Sequence, residues 1–134
     1  MHAFNSLFGR IALSALFIVS GLGKLAAYAG TQQYMAAAGV PGFLLPLVIV
    51  VEVGGGMLIL AGAFTRATAI VLALFTLAAG ILFHANLADQ NQFIHLLKNI
   101  AIAGGFLTLA AHGPGPVSID ALRRKRAIGA AAIA

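Results

Sequence analysis

The feature that most constrains the fold is a run of twenty-two residues, Phe43 to Phe64, in which Glu52 is the only ionisable side chain. An apolar stretch of this length is long enough to cross a bilayer as a helix. A carboxylate in its interior costs several kcal/mol unless it is protonated, paired with a cation or hydrated within a cavity. We therefore expect the fold to provide a partner or a polar recess for Glu52.

The composition supports a membrane protein. Of the 134 residues, 61% are hydrophobic and only 8% are charged, with a mean hydropathy of +1.02. Soluble domains carry about a quarter charged residues. The length suits one domain over 1–134, and the expected fold is an all-α antiparallel bundle of four transmembrane helices. The predicted helices are Leu7 to Tyr28, Phe43 to Phe64, Ala67 to Ala85 and Phe93 to His112.

The first of these runs also resembles a secretory signal, because Arg10 precedes an apolar stretch that ends near Ala27-Tyr28-Ala29. We favour a retained helix. The apolar stretch is long for a signal, and its removal would leave an odd number of spans.

The distribution of cations predicts the orientation of the bundle. Arg10, Arg66 and the tetrad Arg123 to Arg126 all fall on one side of a four-span chain. Short loops rich in Lys and Arg remain in the cytoplasm, so both termini are expected there, with 117–134 as a basic tail. We expect Ser118 or Asp120 to cap a short basic helix, and Ala127 to Ala134 to form a frayed end.

Most of the remaining ionisable side chains in the predicted helices lie in the outer half, away from the basic side. Glu52 is about nine residues from the outer end of its helix, and Lys24 and Lys98 are close enough for either to reach it. Intramembrane acids are commonly functional, which favours a pathway, a relay or a ligand site around Glu52. The predicted polar cluster consists of Lys24, Glu52, His84, His95, Lys98 and Asn99.

Each of these residues also has a simpler interpretation. Lys24 could extend its ammonium group to the interface, and His84 could be an interfacial residue with no specific role. Glu52 could pair with Lys98 and only hold two helices together. The glycines Gly54 to Gly56 that follow Glu52 suggest either close helix packing or local unwinding.

Other chemistries are excluded or disfavoured. The chain has no cysteine, so it can supply no thiol relay and no thiolate-ligated iron-sulfur cluster. No Walker loop or GxGxxG motif indicates a nucleotide site. The loop Asn86 to Gln92, flanked by His84 and His95, could form a metal or ligand mouth, but the spacing matches no specific metal motif, and we predict no metal. A basic tetrad is weak evidence for nucleic acid, which we do not expect as a partner.

An ordered set of short motifs resembles the DoxX family. It comprises Arg10-Ile11-Ala12-Leu13, Gly21-Leu22-Gly23-Lys24-Leu25, Glu52-Val53-Gly54-Gly55-Gly56, Leu60-Ala61-Gly62, Phe64-Thr65-Arg66, Phe83-His84, Lys98-Asn99, Gly113-Pro114-Gly115 and Ser118-Ile119-Asp120. The resemblance implies a four-helix protein of the bacterial inner membrane, some of whose relatives are linked to quinone-dependent sulfur oxidation or to oxidoreductase complexes. The family residues at matching positions are Lys24, Glu52, His84, Lys98 and Asn99.

The leading hypothesis is a small quinone-linked redox subunit. Glu52 or His84 would exchange a proton with a quinone-like headgroup, whose carbonyl groups would be bound by Lys24, His95, Lys98 and Asn99. One alternative is a non-catalytic subunit of a larger membrane complex or homo-oligomer, and another is a small carrier or proton path. Partners therefore include the lipid bilayer, and a quinone is the only cofactor suggested.

Overall fold

The structure, a computed structural model, describes residues 1–132 and is helical, with no strand among those residues. A 3₁₀ turn at Gly42–Leu44 and a π-helical turn at Val50–Gly54 belong to the second long apolar segment. The α-helices are α1 (His2–Ala26), α2 (Tyr28–Ala37), α3 (Leu45–Ile49), α4 (Gly55–Ala61), α5 (Thr65–His84), α6 (Gln90–His112) and α7 (Ile119–Ala131).

Four segments are long and apolar enough to span a membrane, namely Ala3–Ala26, Gly42–Ala61, Thr65–His84 and Gln90–His112. The predicted class of fold is confirmed. The second span ends before Phe64 because Gly62 and Phe64 adopt positive φ angles of 65° and 49°, which no α-helix accommodates. The fourth begins earlier than predicted because the Asp89 side chain caps it, accepting hydrogen bonds from the backbone N–H groups of Asn91 and Gln92.

The core of the bundle is small, and most large apolar side chains face outward. Phe17 and Phe106 meet edge to face at its centre, with 5.2 Å between ring centroids. Leu72 and Ile59 are fully buried around them, and alanines fill much of the remaining contact surface. Outward-facing apolar side chains would be a liability in water, whereas in lipid they are the expected surface.

The glycines after Glu52 allow close packing. A Cβ added to Gly56 would lie 3.3 Å from the backbone nitrogen of Ile18 in α1, and one added to Gly55 would lie 2.9 Å from Leu72 in α5. The packing interpretation therefore holds for Gly55 and Gly56. The helix does not unwind there, but it widens into a π turn that ends at Gly54.

The start of α1 and the segment before α7 lie at the same end of the bundle. The Ser6 hydroxyl and the Arg10 guanidinium both donate to the carbonyl of Pro114, with distances of 2.8 and 2.7 Å. We call this the basic end, defined by the start of α1, the turn at 62–64 and α7. The opposite end, which carries α2 and the loop before α6, is the distal end.

Arg10 is only 2% exposed and is a structural residue rather than a loop cation. Besides Pro114, its guanidinium donates to the carbonyls of Val117 and Leu60, at 2.8 and 2.9 Å. It thereby connects α1 to the end of α4 and to the segment before α7. This structural role of Arg10 was not predicted from the sequence.

The chain after α6 is more ordered than expected. Ser118 caps α7 by accepting a hydrogen bond from the N–H of Ala121, as predicted. The prediction of a frayed end from Ala127 was wrong for the described part, because α7 continues to Ala131. Ile133 and Ala134 lie outside the described residues.

Candidate ligand-binding site

An ion pair between α1 and the π turn lies at the centre of the candidate site. The Lys24 Nζ atom is 2.9 Å from each of the two carboxylate oxygens of Glu52. The same ammonium donates to the Ser20 hydroxyl at 2.7 Å, one helical turn earlier in α1. Ser20 in turn donates to Glu52 at 3.4 Å, a long contact that closes the triangle. The carboxylate is therefore compensated within the apolar span, as its position in the sequence required.

The backbone around Glu52 explains how it reaches α1. A π turn carries one more residue than an α turn, so it changes the direction of the side chains within it, and such turns are frequent at functional sites. Gly21 faces this turn across the helix interface. A Cβ at that position would lie 3.1 Å from the Cβ of Glu52 and 3.3 Å from the backbone nitrogen of Val53. The missing side chain thus lets α1 approach the acid closely.

A cavity of about 410 Å³ adjoins the ion pair on the side of α2. Lys24, Ser20 and Glu52 contribute its polar wall. Tyr34 of α2 stacks on Phe83 of α5 across its distal side, with ring centroids 5.3 Å apart and planes inclined by 14°. Because α2 contacts α5 through this aromatic pair, it forms a roof over the cavity.

A second cavity, of about 370 Å³, extends from Glu52 toward α6. The two cavities share six lining residues, so we treat them as one site, the distal pocket. The shared residues are Ser20, Glu52, Phe75, Ala79, His84 and Asn99.

Two histidines form the rim of the distal pocket. The rings of His84 and His95 stack with centroids 4.9 Å apart. The His84 Nδ1 atom is 2.6 Å from the amide oxygen of Gln92, an acceptor, so Nδ1 carries the proton in this arrangement. In the neutral ring, the other nitrogen of His84 is then a hydrogen-bond acceptor. Within residues 1–132, no group of three or more His, Asp or Glu residues could hold a metal ion.

All six predicted site residues line the distal pocket, though not equally. Glu52 is buried, and Lys24, His84 and Asn99 are half-buried. His95 and Lys98 are exposed at the rim, and Asn99 donates to the carbonyl of His95 at 3.1 Å.

Two alternatives from the sequence are corrected by this geometry. Lys98 does not pair with Glu52. Among the described residues, Lys24 is the one salt-bridge partner of this acid. Lys24 does not extend freely to the interface for the same reason. Ser20 and Tyr34 are parts of the site that were not predicted from the sequence. Only Ser20 carried a signal, since it precedes Lys24 by four residues and shares its helix face.

Four apolar spans that enclose a polar pocket define the chain as a small polytopic integral membrane protein. Comparison with known proteins shows that it belongs to the DoxX family, whose model matches residues 6–85. The match covers the first three spans, including Lys24, Glu52 and His84.

Relatives match a larger part of the chain. The "Inner membrane protein YqjF" of Escherichia coli (strain K12) is 54% identical over 120 residues, covering 90% of this chain and 92% of the relative. The "Inner membrane protein YphA" of the same strain is 39% identical, with coverages of 85% and 86%. The "Putative oxidoreductase CatD" of Bacillus subtilis (strain 168) is 31% identical, with coverages of 75% and 80%. No solved structure matches the chain. The predicted localisation, a multi-pass protein of the inner membrane, is confirmed by these relatives and the four spans.

Proposed function

We propose that this chain is a quinone-linked subunit of a membrane redox system and that the distal pocket binds the quinone headgroup. The observation that carries the proposal is the polar triangle of Lys24, Glu52 and Ser20, which opens on a cavity instead of being sealed in the core. An ion pair whose only task is to join two helices needs no adjoining space.

The dimensions and chemistry of the distal pocket suit a flat, ring-shaped headgroup with carbonyl oxygens. Small-molecule sites usually enclose about 300 to 1,000 Å³ and combine apolar walls with a few directed polar groups. Each of the two cavities falls within that range. Phe75 and Tyr34 supply aromatic surface, while the Asn99 amide can donate to a carbonyl oxygen.

Glu52 and His84 are the groups that can move protons at this site. A quinone, when bound, supplies a carrier that takes up two electrons and two protons in becoming a quinol. Glu52 and His84 would pass those protons to the headgroup oxygens: each would first take up one proton from the aqueous side and then give it to the quinone, and Lys24 would stabilise the carboxylate that remains. The chain has no cysteine, so the electrons come from a redox-active partner protein. The relative whose name describes an oxidoreductase supports this assignment.

We further propose that the basic end faces the cytoplasm, with both termini on that side and residues 1–134 forming one domain. The cations Arg66 and Arg123 to Arg126 lie at that end, which is where short cytoplasmic segments carry their positive charge. The distal pocket would then open in the outer leaflet, within reach of a membrane-dissolved quinone.

A non-catalytic role in a larger complex is the second candidate, and one observation favours it. Lys24 compensates Glu52 fully without any ligand, so the pair could serve only to hold α1 against the π turn. The two candidates differ in what the distal pocket does. A structural subunit predicts no saturable binding of a quinone.

The decisive experiment measures binding of a short-chain ubiquinone analogue to the purified protein in nanodiscs by titration calorimetry. We expect saturable binding, weakened about tenfold by Asn99→Ala because one hydrogen bond to the headgroup is lost. Thr108→Ala, at the other end of α6, is the matched control and should bind as the wild type does. A wild-type protein that binds no analogue, or an Asn99→Ala variant with unchanged affinity, would overturn the assignment of the pocket.

A separate measurement addresses proton exchange. In membranes that contain the native partner, Glu52→Gln should lower quinone turnover by about a hundredfold, the usual contribution of a general acid or base. Unchanged turnover in that variant would remove Glu52 from the proton path while leaving the binding result intact.

A further inference from the structure

The basic end contains a cavity that the proposed function does not use. It has a volume of about 570 Å³ and lies between the start of α5, the end of α6 and α7. We call it the basic cavity, defined by Arg66, His112, Gly113, Pro116, Asp120 and Arg124.

The side chains around the basic cavity are arranged for an anion. Arg66 lies against Gly113, with its Nε 3.8 Å from where a Cβ of that glycine would be, and Arg124 contributes a second guanidinium from α7. The only acid lining the cavity, Asp120, is already compensated. It accepts hydrogen bonds of 2.9 Å from the backbone N–H groups of Phe64 and Thr65 and from the Thr65 hydroxyl.

An apolar groove adjoins the basic cavity and shares His112, Gly113 and Gly115 with it. The groove has a volume of about 460 Å³ and runs between α1 and α6 along Gly9, Leu13, Gly105 and Leu109. Small residues keep it open, since nothing lies within 4 Å of a Cβ added to Gly9.

Arg10 provides an independent sign that a polar group belongs at the junction. It lines the groove, is 2% exposed, and its Nε is a buried donor with no partner among the described residues. Native proteins rarely leave such a donor unsatisfied, and a water molecule or an oxygen of a bound ligand in the groove would satisfy it.

We propose that the basic cavity and the groove together bind one anionic phospholipid, with the phosphate between Arg66 and Arg124 and an acyl chain between α1 and α6. The guanidinium pair selects a net negative headgroup, because planar guanidinium groups bind phosphate oxygens in pairs. The groove favours a lipid over free phosphate, because inorganic phosphate has no acyl chain to pack against Leu13 and Leu109.

The test compares ligands and two charge-matched variants of the full chain. Binding of dioleoylphosphatidylglycerol, dioleoylphosphatidylcholine and inorganic phosphate to detergent-purified protein is followed by native mass spectrometry and by the shift of the thermal unfolding midpoint. The first variant is Arg66→Gln with Arg124→Gln. Its control is Lys125→Gln with Arg126→Gln, which removes the same charge from the basic end without touching the lining of the basic cavity.

We expect phosphatidylglycerol to bind the wild type and raise its unfolding midpoint, because a ligand that binds only the folded state stabilises it. The Arg66→Gln/Arg124→Gln variant should bind it roughly 30-fold more weakly, from about 1 kcal/mol per lost arginine. The control variant should stay within about threefold of the wild type. An equal loss in both variants would mean diffuse attraction to the basic end and would overturn the site.

Gly105→Leu tests the acyl groove separately. This substitution at a half-buried glycine fills the space beside Leu13 and removes no charge. It should weaken phosphatidylglycerol binding while the protein stays folded, as checked by circular dichroism and monodisperse elution. Unchanged lipid affinity, or inorganic phosphate binding as tightly as the lipid, would overturn the proposal. None of these outcomes depends on a quinone at the distal pocket.

Discussion

The ammonium of Lys24 lies 2.9 Å from both carboxylate oxygens of Glu52, so one cation from the first span satisfies the only acid of the second. The pair connects two segments that are 28 residues apart in sequence. In water such a bridge contributes little, but in a span surrounded by lipid each charge depends on the other.

Loss of one partner should therefore be costly. Lys24→Met leaves Glu52 as an uncompensated charge, and we expect a loss of about 3 kcal/mol in the free energy of unfolding. The double variant Lys24→Met/Glu52→Gln should recover more than half of this loss, since no charge remains. Lys98→Met is the control, because Lys98 is exposed and forms no ion pair with the described residues. Equal losses for Lys24→Met and Lys98→Met, measured by chemical unfolding in detergent, would contradict the central role of the pair.

The close approach of α1 to the π turn can be tested with two glycines on the same helix. Gly21→Ala places a Cβ 2.6 Å from the Val53 side chain and 3.3 Å from its backbone nitrogen, so α1 must move away. We expect a loss of about 1 to 3 kcal/mol, as for other overpacked sites. Gly23→Ala has nothing within 4 Å of its new Cβ and should gain up to about 1 kcal/mol from helix propensity. Thermal unfolding of both variants decides the point, and a loss of the same size in each would refute close contact at Gly21.

The aromatic roof of the distal pocket should control access to it. Because the chain has no native cysteine, Ser20→Cys introduces a single thiol into the pocket wall. We expect Tyr34→Ala to raise the labelling rate of this thiol by a water-soluble maleimide several-fold, since it removes the ring that stacks on Phe83. Leu87→Ala, in the exposed loop before α6, serves as the control. A labelling rate that Tyr34→Ala leaves unchanged would mean that α2 does not cover the pocket.

Asp120 should make the stability of the basic end depend on pH. Burial by itself would raise the pKa of Asp120, but hydrogen bonds from Thr65 and Phe64, together with Arg123, hold that pKa below its usual value. A carboxylate with a depressed pKa in the folded state stabilises the fold above its unfolded pKa, and the contribution is lost as the pH falls through the folded pKa.

The expected result is a wild-type unfolding midpoint that declines as the pH falls below about 4, near the pKa of an unfolded aspartate. Asp120→Ala should cost about 1 kcal/mol at neutral pH, because α5 loses its N-terminal cap, and should flatten this decline. The measurement is the thermal unfolding midpoint of the wild type and of Asp120→Ala at a series of acidic pH values. A variant as pH-sensitive as the wild type would assign the decline to other groups.

The proposed orientation, with the basic end in the cytoplasm, predicts at which positions of the chain a fused reporter enzyme is active. Alkaline phosphatase, which works only outside the cytoplasm, should be inactive when fused after the last residue and active when inserted after Ala88 in the distal loop. The physical reason is the concentration of Lys and Arg at the basic end. The reverse pattern of activities would place the distal pocket on the cytoplasmic side.

The sequence was sufficient to predict the number and approximate limits of the spans, because length and hydropathy depend on local composition alone. It also placed the polar residues in one half of the bundle, since depth follows from the helical rise once the spans are known. Because depth was all that the sequence provided, it showed that Glu52 needs a partner but did not identify that partner. Lys24 and Lys98 lie at similar depths, and depth says nothing about which side of a helix faces the acid.

Only the tertiary structure shows that Lys24, and not Lys98, pairs with Glu52. Gly21 brings α1 close to Glu52, and the π turn changes the direction of the carboxylate, neither of which follows from hydrophobic periodicity. The aromatic roof and the role of Arg10 also depend on contacts between residues far apart in the chain. The sequence of this protein thus determined which side chains must leave the lipid, because transfer free energies belong to single residues. Which of them meet was decided only by helix packing, because rotation and close approach are properties of the whole bundle.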